Sequence, residues 1–217
     1  MKKSVLIIGM GRLGTHLAEK MQDLGHDVMV LDNRQEAIAR VATRFADARI
    51  AEYTQEDVLR ALDIPSFDIC FITVGDNLEA SMLATITLKK LGAKYVAARA
   101  RDDIQCELLK KIGADEIIYA DGEAADKLAV RHNGNNIFDY IELAGGYAIF
   151  EVPILKEWKG KTIIELDVRR KYKINIIAIK NGEKLNPSPM PEYMFCEGDH
   201  IFVIGQSRDV FKLCAKT

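Results

Sequence analysis

Three glycines, Gly9, Gly11 and Gly14, constrain this chain more than any other feature. They follow the apolar run Val5–Ile8 and lead into an amphipathic stretch, SVLIIGMGRLGTHL over Ser4–Leu17. A G-x-G-x-x-G between a strand and a helix is a phosphate cradle. Gly9 permits the tight turn, Gly11 lets the backbone approach a pyrophosphate, and Gly14 lets the helix pack close to the strand. Met10, Arg12 and Leu13 complete the loop. The helix start offers free N–H groups and a partial positive charge to an anion. The next apolar run ends in Asp32, 18 residues after Gly14, where a carboxylate accepts hydrogen bonds from ribose hydroxyls. The motif alone is weak. Set between strand and helix, with an acid closing the second strand, it specifies a nucleotide-binding Rossmann unit.

The pattern up to Tyr119 supports that reading. Short β-branched runs at Val5–Ile8, Val28–Leu31, Ala48–Ala51, Ile69–Val74, Tyr95–Ala98 and Glu116–Tyr119 alternate with helical periodicities. Leu13, Leu17, Met21 and Leu24 recur at helical spacing and Gly25 stops them. Ala37, Val41 and Phe45 repeat the pattern, as do Leu78–Leu91 before Gly92 and Ile104–Ile112 before Gly113. Strand and helix alternating at this pitch predict an α/β fold, a doubly wound parallel sheet with its ligand crevice at the Gly loop. A helix over Asp121–His132 follows, and Asn133-Gly-Asn-Asn breaks it. Beyond lies a smaller α+β unit. Strands are expected at Tyr140–Leu143, Ala148–Val152, Ile174–Ile179 and His200–Ile204, with a short helix over Ile163–Tyr172 and a hairpin at Asn181-Gly182. The boundary falls near residues 133–139, dividing the chain into 1–133 and 134–217.

Composition narrows the function classes. The formal net charge is −2, against the clustered basic surface that nucleic-acid partners need. No apolar run approaches the length of a membrane span. The chain enters its first strand at once, leaving no room for a signal peptide, so a cytoplasmic location is expected. Cys70, Cys106, Cys196 and Cys214 form no C-x-x-C and have no His at ligand spacing, so reduced thiols are expected. His16, His26, His132 and His200 are scattered and suggest no catalytic set.

Several residues are placed at the crevice by position. Arg12 sits at a helix start, where a cation is unfavourable by roughly 0.3–1 kcal/mol unless an anion is bound. A guanidinium there reaches a terminal phosphate bidentately. Asn33 and Arg34 follow Asp32 beside the adenine edge. Arg34 would suit a 2′-phosphate, which the acid at 32 disfavours. Val74, Gly75, Asp76 and Asn77 end the fourth strand at the crevice mouth, with Asp76 and Asn77 equally suited to capping the next helix. Arg99 ends an apolar strand and needs a partner, a phosphate or an acid. Arg101 reads as solvated or at an interface. Asp121 reads as the N-cap of its helix. In the second unit, Ile164, Arg169, Asn175, Ile176 and Pro191 suggest a shallow apolar floor with polar rims, or an ordinary core and surface.

The whole chain resembles the RCK (KTN/TrkA) family of cytosolic regulators of potassium transport. GMGRLG with Arg12, the strand-ending Asp32, Val74-Gly-Asp-Asn-Leu-Glu-Ala-Ser, Lys111-Ile-Gly-Ala-Asp-Glu-Ile-Ile, Asp167-Val-Arg-Arg-Lys-Tyr and Pro189-Met-Pro-Glu carry the likeness, closest to KtrA-like gating subunits. The family often has Gly-Asp after its third strand. Here Ala51-Glu52-Tyr53-Thr54 stands there, with Glu52 as the substitute acid beside the adenosine and Tyr53 next to it. The resemblance implies ATP or ADP in the first unit, homodimers assembled into a ring, an octamer by this likeness, and a membrane-embedded potassium channel or transporter subunit as partner. It casts Arg99 as the phosphate-side cation and Asp121 as an acid that helps hold Mg²⁺ or another divalent ion. It also implies cyclic di-AMP at the second unit.

Other readings use the same motif. NAD or NADH carries the same adenosine ribose, giving a TrkA-like NAD(H) regulator. An NAD-dependent oxidoreductase requires a His/Asp, Tyr/Lys or Cys/His set beside the nicotinamide, and none is evident. A transcriptional redox sensor requires a helix-turn-helix or basic face, also not evident. The expectation is a nucleotide-binding switch rather than an enzyme.

Overall fold

The computed structural model describes residues 1–133 and 137–215. By internal contacts it divides into two units, Met1–Gly122 and Glu123–Thr217.

Six parallel strands form the first sheet: β1 Ser4–Ile8, β2 Asp27–Asp32, β3 Asp47–Ile50, β4 Ile69–Ile72, β5 Val96–Arg99 and β6 Glu116–Ile118, in the spatial order 3-2-1-4-5-6. The helices are α1 Arg12–Asp23, α2 Gln35–Val41, α3 Glu56–Arg60, α4 Leu78–Lys90 and α5 Asp103–Lys111. Side chains of β1 alternate between the faces. Val5 and Ile7 join a core with Ala18 of α1 and Ala37, Ile38 and Val41 of α2. Leu6 and Ile8 join the opposite core with Ala84 and Leu88 of α4 and Leu109 of α5. Both faces are covered, which is why these strands read as continuous apolar runs. Because the order reverses at β1/β4, the ends of those strands splay apart into a crevice.

Four differences from the sequence reading have local causes. α3 and a 3-10 turn at Ile64–Ser66 lie between β3 and β4, where no helix was predicted. α3 has five residues, too few to show a period. α2 stops at Val41 and leaves Phe45 beyond it, buried in the core all the same. The expected single helix over Ile163–Tyr172 is two, α7 Ile163–Leu166 and α8 Val168–Tyr172, because Asp167 turns left-handed at φ 42°. Asp tolerates that region better than most residues. Finally, α6 spans Ala120–Asn133 and the contact division falls inside it, after Gly122, rather than at its end. Val130 packs on the second unit's core. The predicted break at Asn133-Gly-Asn-Asn lies, from Gly134 on, outside the described residues.

The second unit has one antiparallel sheet of β7 Asp139–Glu142, β8 Tyr147–Pro153, β9 Ile174–Asn181, β10 Lys184–Asn186 and β11 Asp199–Gln206, in the order 10-9-11-8-7. Alternate residues of β11 are buried, giving one inner face, which α9 Ser207–Cys214 and the buried Trp158 and Phe195 help to close. Asn181 pairs with Lys184, so the hairpin loop is Gly182-Glu183, one residue later than the Asn-Gly signal suggested. Asn181 instead donates to Asp199 Oδ1 at 2.6 Å. Asp199 Oδ2 accepts from the Tyr193 hydroxyl and the Cys196 N–H. Burial, then Asp199, pushes the Tyr193 hydroxyl up to about 12.

Candidate functional site

The Gly loop joins β1 to α1. Gly9 has φ +100°, and its N–H donates to Leu31 O at 2.7 Å. A Cβ on Gly14 would stand 1.9 Å from Gly9 O and 2.5 Å from Thr73 Oγ1, so only glycine lets α1 seat this close. The Thr73 hydroxyl, 2.6 Å from Gly9 O and 3.0 Å from Ile8 O, donates between them and pins the turn. Sequence reasoning missed Thr73, which resembles any strand threonine until it faces the loop. Gly11 caps α1 with no side-chain bond, and the first turn holds no acid. The orphan N–H groups and the dipole therefore act on the crevice unopposed.

That crevice is a cleft of about 890 Å³. Gly9, Gly11, Arg12 and Leu13 line one side, and Asp32, Asn33, Arg34 and Tyr53 another. Thr73, Val74, Gly75, Asp76 and Asn77 follow, then Arg99, Arg101 and Asp121. Three expected residues, Met10, Gly14 and Glu52, stand behind this lining. Met10 and Gly14 shape the loop. Glu52 accepts from Asn33 Nδ2 at 3.0 Å and from the Thr54 hydroxyl at 2.8 Å, and these bonds hold its carboxyl below the usual value.

Asp32 is 1 % exposed. Oδ2 accepts from the Met10 N–H at 2.6 Å and Arg34 Nη2 at 3.0 Å. Oδ1 accepts from the Arg34 N–H at 2.9 Å and Nε at 3.0 Å. Burial pushes this carboxyl up, but the Arg34 bonds and the Met10 N–H outweigh it and hold the carboxyl below its ordinary value. Asp32 is thus ionised and fully hydrogen-bonded by its own chain, with the half-exposed Arg34 clamped across it. Tyr53, buried beside this pair, has its hydroxyl pushed up by burial, then Asp32 and Glu52.

Cations gather at the other end. The Arg99 guanidinium lies over Gly75, where a Cβ would meet Nη1 at 2.8 Å. Its Nη2 donates to Asp121 Oδ2 at 3.3 Å, while its buried Nε has no partner among the described residues. Arg101, read as solvated or at an interface, is exposed and also lines the cleft, where it pairs with the exposed Asp76 at 3.3 Å. Asn77 caps α4, accepting from the Ala80 N–H. Asp121 is the second residue of α6 rather than its cap. Among the described residues no group of three or more His, Cys, Asp or Glu side chains gathers as a metal site requires.

The second unit holds a smaller cleft, about 240 Å³, and all five residues singled out there line it: Ile164, Arg169, Asn175, Ile176 and Pro191. Arg169 Nε donates to Asn175 Oδ1 at 2.6 Å. Ile164, 65 % exposed, forms an apolar lip.

The comparisons agree with this architecture. Residues 5–120 match the TrkA-N domain and residues 147–216 the TrkA-C domain. The chain is 34 % identical over 210 residues to the Ktr system potassium uptake protein C of Bacillus subtilis, covering 97 % of this chain and 95 % of that one. It is 33 % identical to protein A of the same system and organism, covering 96 % and 94 %. Among solved structures, the GsuK channel superposes with a TM-score of 0.70 at 19 % identity, covering 97 % of this chain and 38 % of the channel chain. The NAD-bound GsuK channel gives 0.69 at 18 %, with 96 % and 38 % covered. The chain thus spans about two fifths of these channel chains, and the likeness is one of fold. With a TrkA-N match over half of its residues and a TrkA-C match after it, this chain belongs to the RCK (KTN/TrkA) family.

Proposed function

We propose that the protein is a cytoplasmic regulatory subunit, not an enzyme, that binds an adenine nucleotide and gates a membrane-embedded potassium uptake channel or transporter. One observation carries this reading. A single cleft is lined by the Gly loop with Arg12, by buried Asp32 beside Asn33 and Tyr53, and by Arg99 and Arg101. Adenosine fits the Asp32, Asn33 and Tyr53 end. Its phosphates fit the helix start and the guanidiniums. For ribose hydroxyls to bond Asp32, Arg34 must release it and turn to the adenine edge or solvent. A third phosphate adds charge that Arg12 and Arg99 hold better than a second, so ATP and ADP favour different states of the assembly. A ligand shifts such an equilibrium only by its differential affinity.

Names of relatives support the potassium system as partner. No helix among the described residues is long and apolar enough to cross a membrane, so that partner supplies the pore and holds this subunit at the inner face. Leu83 and Ile86 on α4 and Ile104 on α5 are 43 %, 44 % and 72 % exposed, apolar side chains that fit burial between copies in a dimer and ring. We assign residues 1–133 to nucleotide binding and 134–217 to a second ligand, for which cyclic di-AMP is the candidate at the Arg169 cleft. A divalent ion such as Mg²⁺ would use Asp121 together with phosphate oxygens and water.

NAD(H) is the competing ligand, favoured by the NAD-bound channel that shares this fold. Thermal-shift titration with ATP, ADP, NAD⁺ and NADH, with and without Mg²⁺, separates the two. A ligand at 100 times its Kd adds about 2.7 kcal/mol. Unequal shifts from ATP and ADP are expected. Stabilisation by NADH alone would overturn the assignment.

A further inference from the structure

A second cleft in the first unit, about 340 Å³, lies between α1 and α2. Arg12, Thr15, His16 and Glu19 reach it from α1, at the three- and four-residue steps of one helix face. Arg40 and Arg44 reach it from the end of α2 and just beyond. Its floor is apolar: Met10 is 1 % and Val41 6 % exposed. Charges above such a floor are screened less than charges on open surface.

The charges do not balance. Three guanidiniums and one carboxylate, Glu19, line the cleft, and Arg44 engages both Glu19 at 2.9 Å and Asp23 outside the lining at 3.9 Å, which leaves the other two guanidiniums uncompensated. Arg12 and Arg40 have no ion pair or side-chain hydrogen bond among the described residues. The nearby start of α1 adds positive potential, with no acid in its first turn. Guanidinium forks match phosphate oxygens bidentately. No Phe, Tyr or Trp lines the cleft to stack a base.

We infer that this cleft is a second anion site, separate from the nucleotide cleft, and that it takes a compact phosphate oxyanion of pyrophosphate size or a phosphomonoester headgroup. Arg40 and Arg12 grip the oxyanion, and Thr15 and His16 offer further donors. Gly11 and Arg12 also line the large cleft. An oxyanion here therefore draws on the same guanidinium as the nucleotide's terminal phosphate and weakens ATP more than AMP. That last clause rests on the nucleotide reading above; the site itself does not.

The test is calorimetric titration of the full chain with inorganic pyrophosphate and, separately, ADP, using wild type and Arg40→Gln. Arg40 is exposed and unpaired, so the variant folds. Pyrophosphate should bind wild type and weaken about tenfold in Arg40→Gln, while ADP affinity stays within about twofold. Arg40-dependent pyrophosphate binding without ADP binding upholds the site and sinks the nucleotide reading instead. Flotation with phosphatidylcholine vesicles containing phosphatidic acid identifies the source. Binding there alone, lost in Arg40→Gln, supports the site with a lipid headgroup as ligand. Pyrophosphate affinity unchanged in Arg40→Gln, or pyrophosphate and vesicles both failing to bind while ADP binds, overturns it. So does Arg40-dependent capture of poly-glutamate without either phosphate ligand.

Discussion

The large cleft of the first unit is built from backbone and charge, whereas the small cleft of the second is built from side chains. Around Gly9 and Gly14 there is no room for a Cβ, which would meet Val74 N at 3.1 Å and Gly9 O at 1.9 Å respectively. Walls of that kind are intolerant of substitution. Around Ile164, Ile176 and Pro191, beside the Arg169–Asn175 bond, walls change with each substitution. The contrast teaches that the two sites should fail differently when mutated. The first loses shape, the second selectivity.

Gly14→Val attacks the first wall most directly. With Gly9 O 1.9 Å from the added Cβ, it should cost about 2 kcal/mol or more of stability and abolish nucleotide binding. Thermal melting with and without ADP checks both, and a variant that still binds ADP breaks the comparison. Asp32→Asn should follow, weakening ADP about 10- to 100-fold through lost charge-assisted bonds. Arg169→Ala in the second unit should remove cyclic di-AMP binding while leaving ADP affinity untouched, as two titrations on one variant will tell. Arg34→Ala gives a smaller effect with a defined sign. Asp32 is held below its ordinary value, so its contribution to stability is present above the unfolded value of about 3.9 and is lost as pH falls through the lower folded one. Without Arg34 the folded value rises, so acid unfolding should begin at higher pH; an unmoved acid limb counts against the clamp. Smallest is thiol reactivity. Burial pushes Cys70 up to about 12 and Cys214 to about 11, so a maleimide should label the exposed Cys196 first, as peptide mass mapping can show.

How much of this was legible in the sequence follows the same division. The central parallel strands announce themselves because both faces are covered and Val5–Ile8 is wholly apolar and buried, whereas the edge strands β3 and β6 carry charged, exposed residues. The Gly loop announces itself because no other residue fits at Gly9 and Gly14. The Arg169 group was only half legible: the sequence left a shallow apolar floor and an ordinary core and surface both open, and the fold brings its five residues to one cleft. What stayed hidden depends on single dihedrals or on contacts across chain distance. Asp167 turning left-handed cuts one expected helix in two. Thr73 braces a loop 64 residues away. Arg101 comes to the cleft only because β5 ends beside the loop after β4. The Arg34 clamp spans two residues, yet it forms only because the end of β2 turns both side chains to one side.

On the binding mode proposed above, that clamp makes affinity at Asp32 an exchange, with the Arg34 ion pair broken for each nucleotide held. Arg34 is 62 % exposed at its side chain, so dissolved salt weakens the pair it makes with Asp32. Salt equally weakens the pull of the guanidiniums on the phosphates. On that mode, rising ionic strength would ease adenosine in while loosening the phosphates, and the ratio of affinities for AMP and ATP would gauge the ionic strength around the protein.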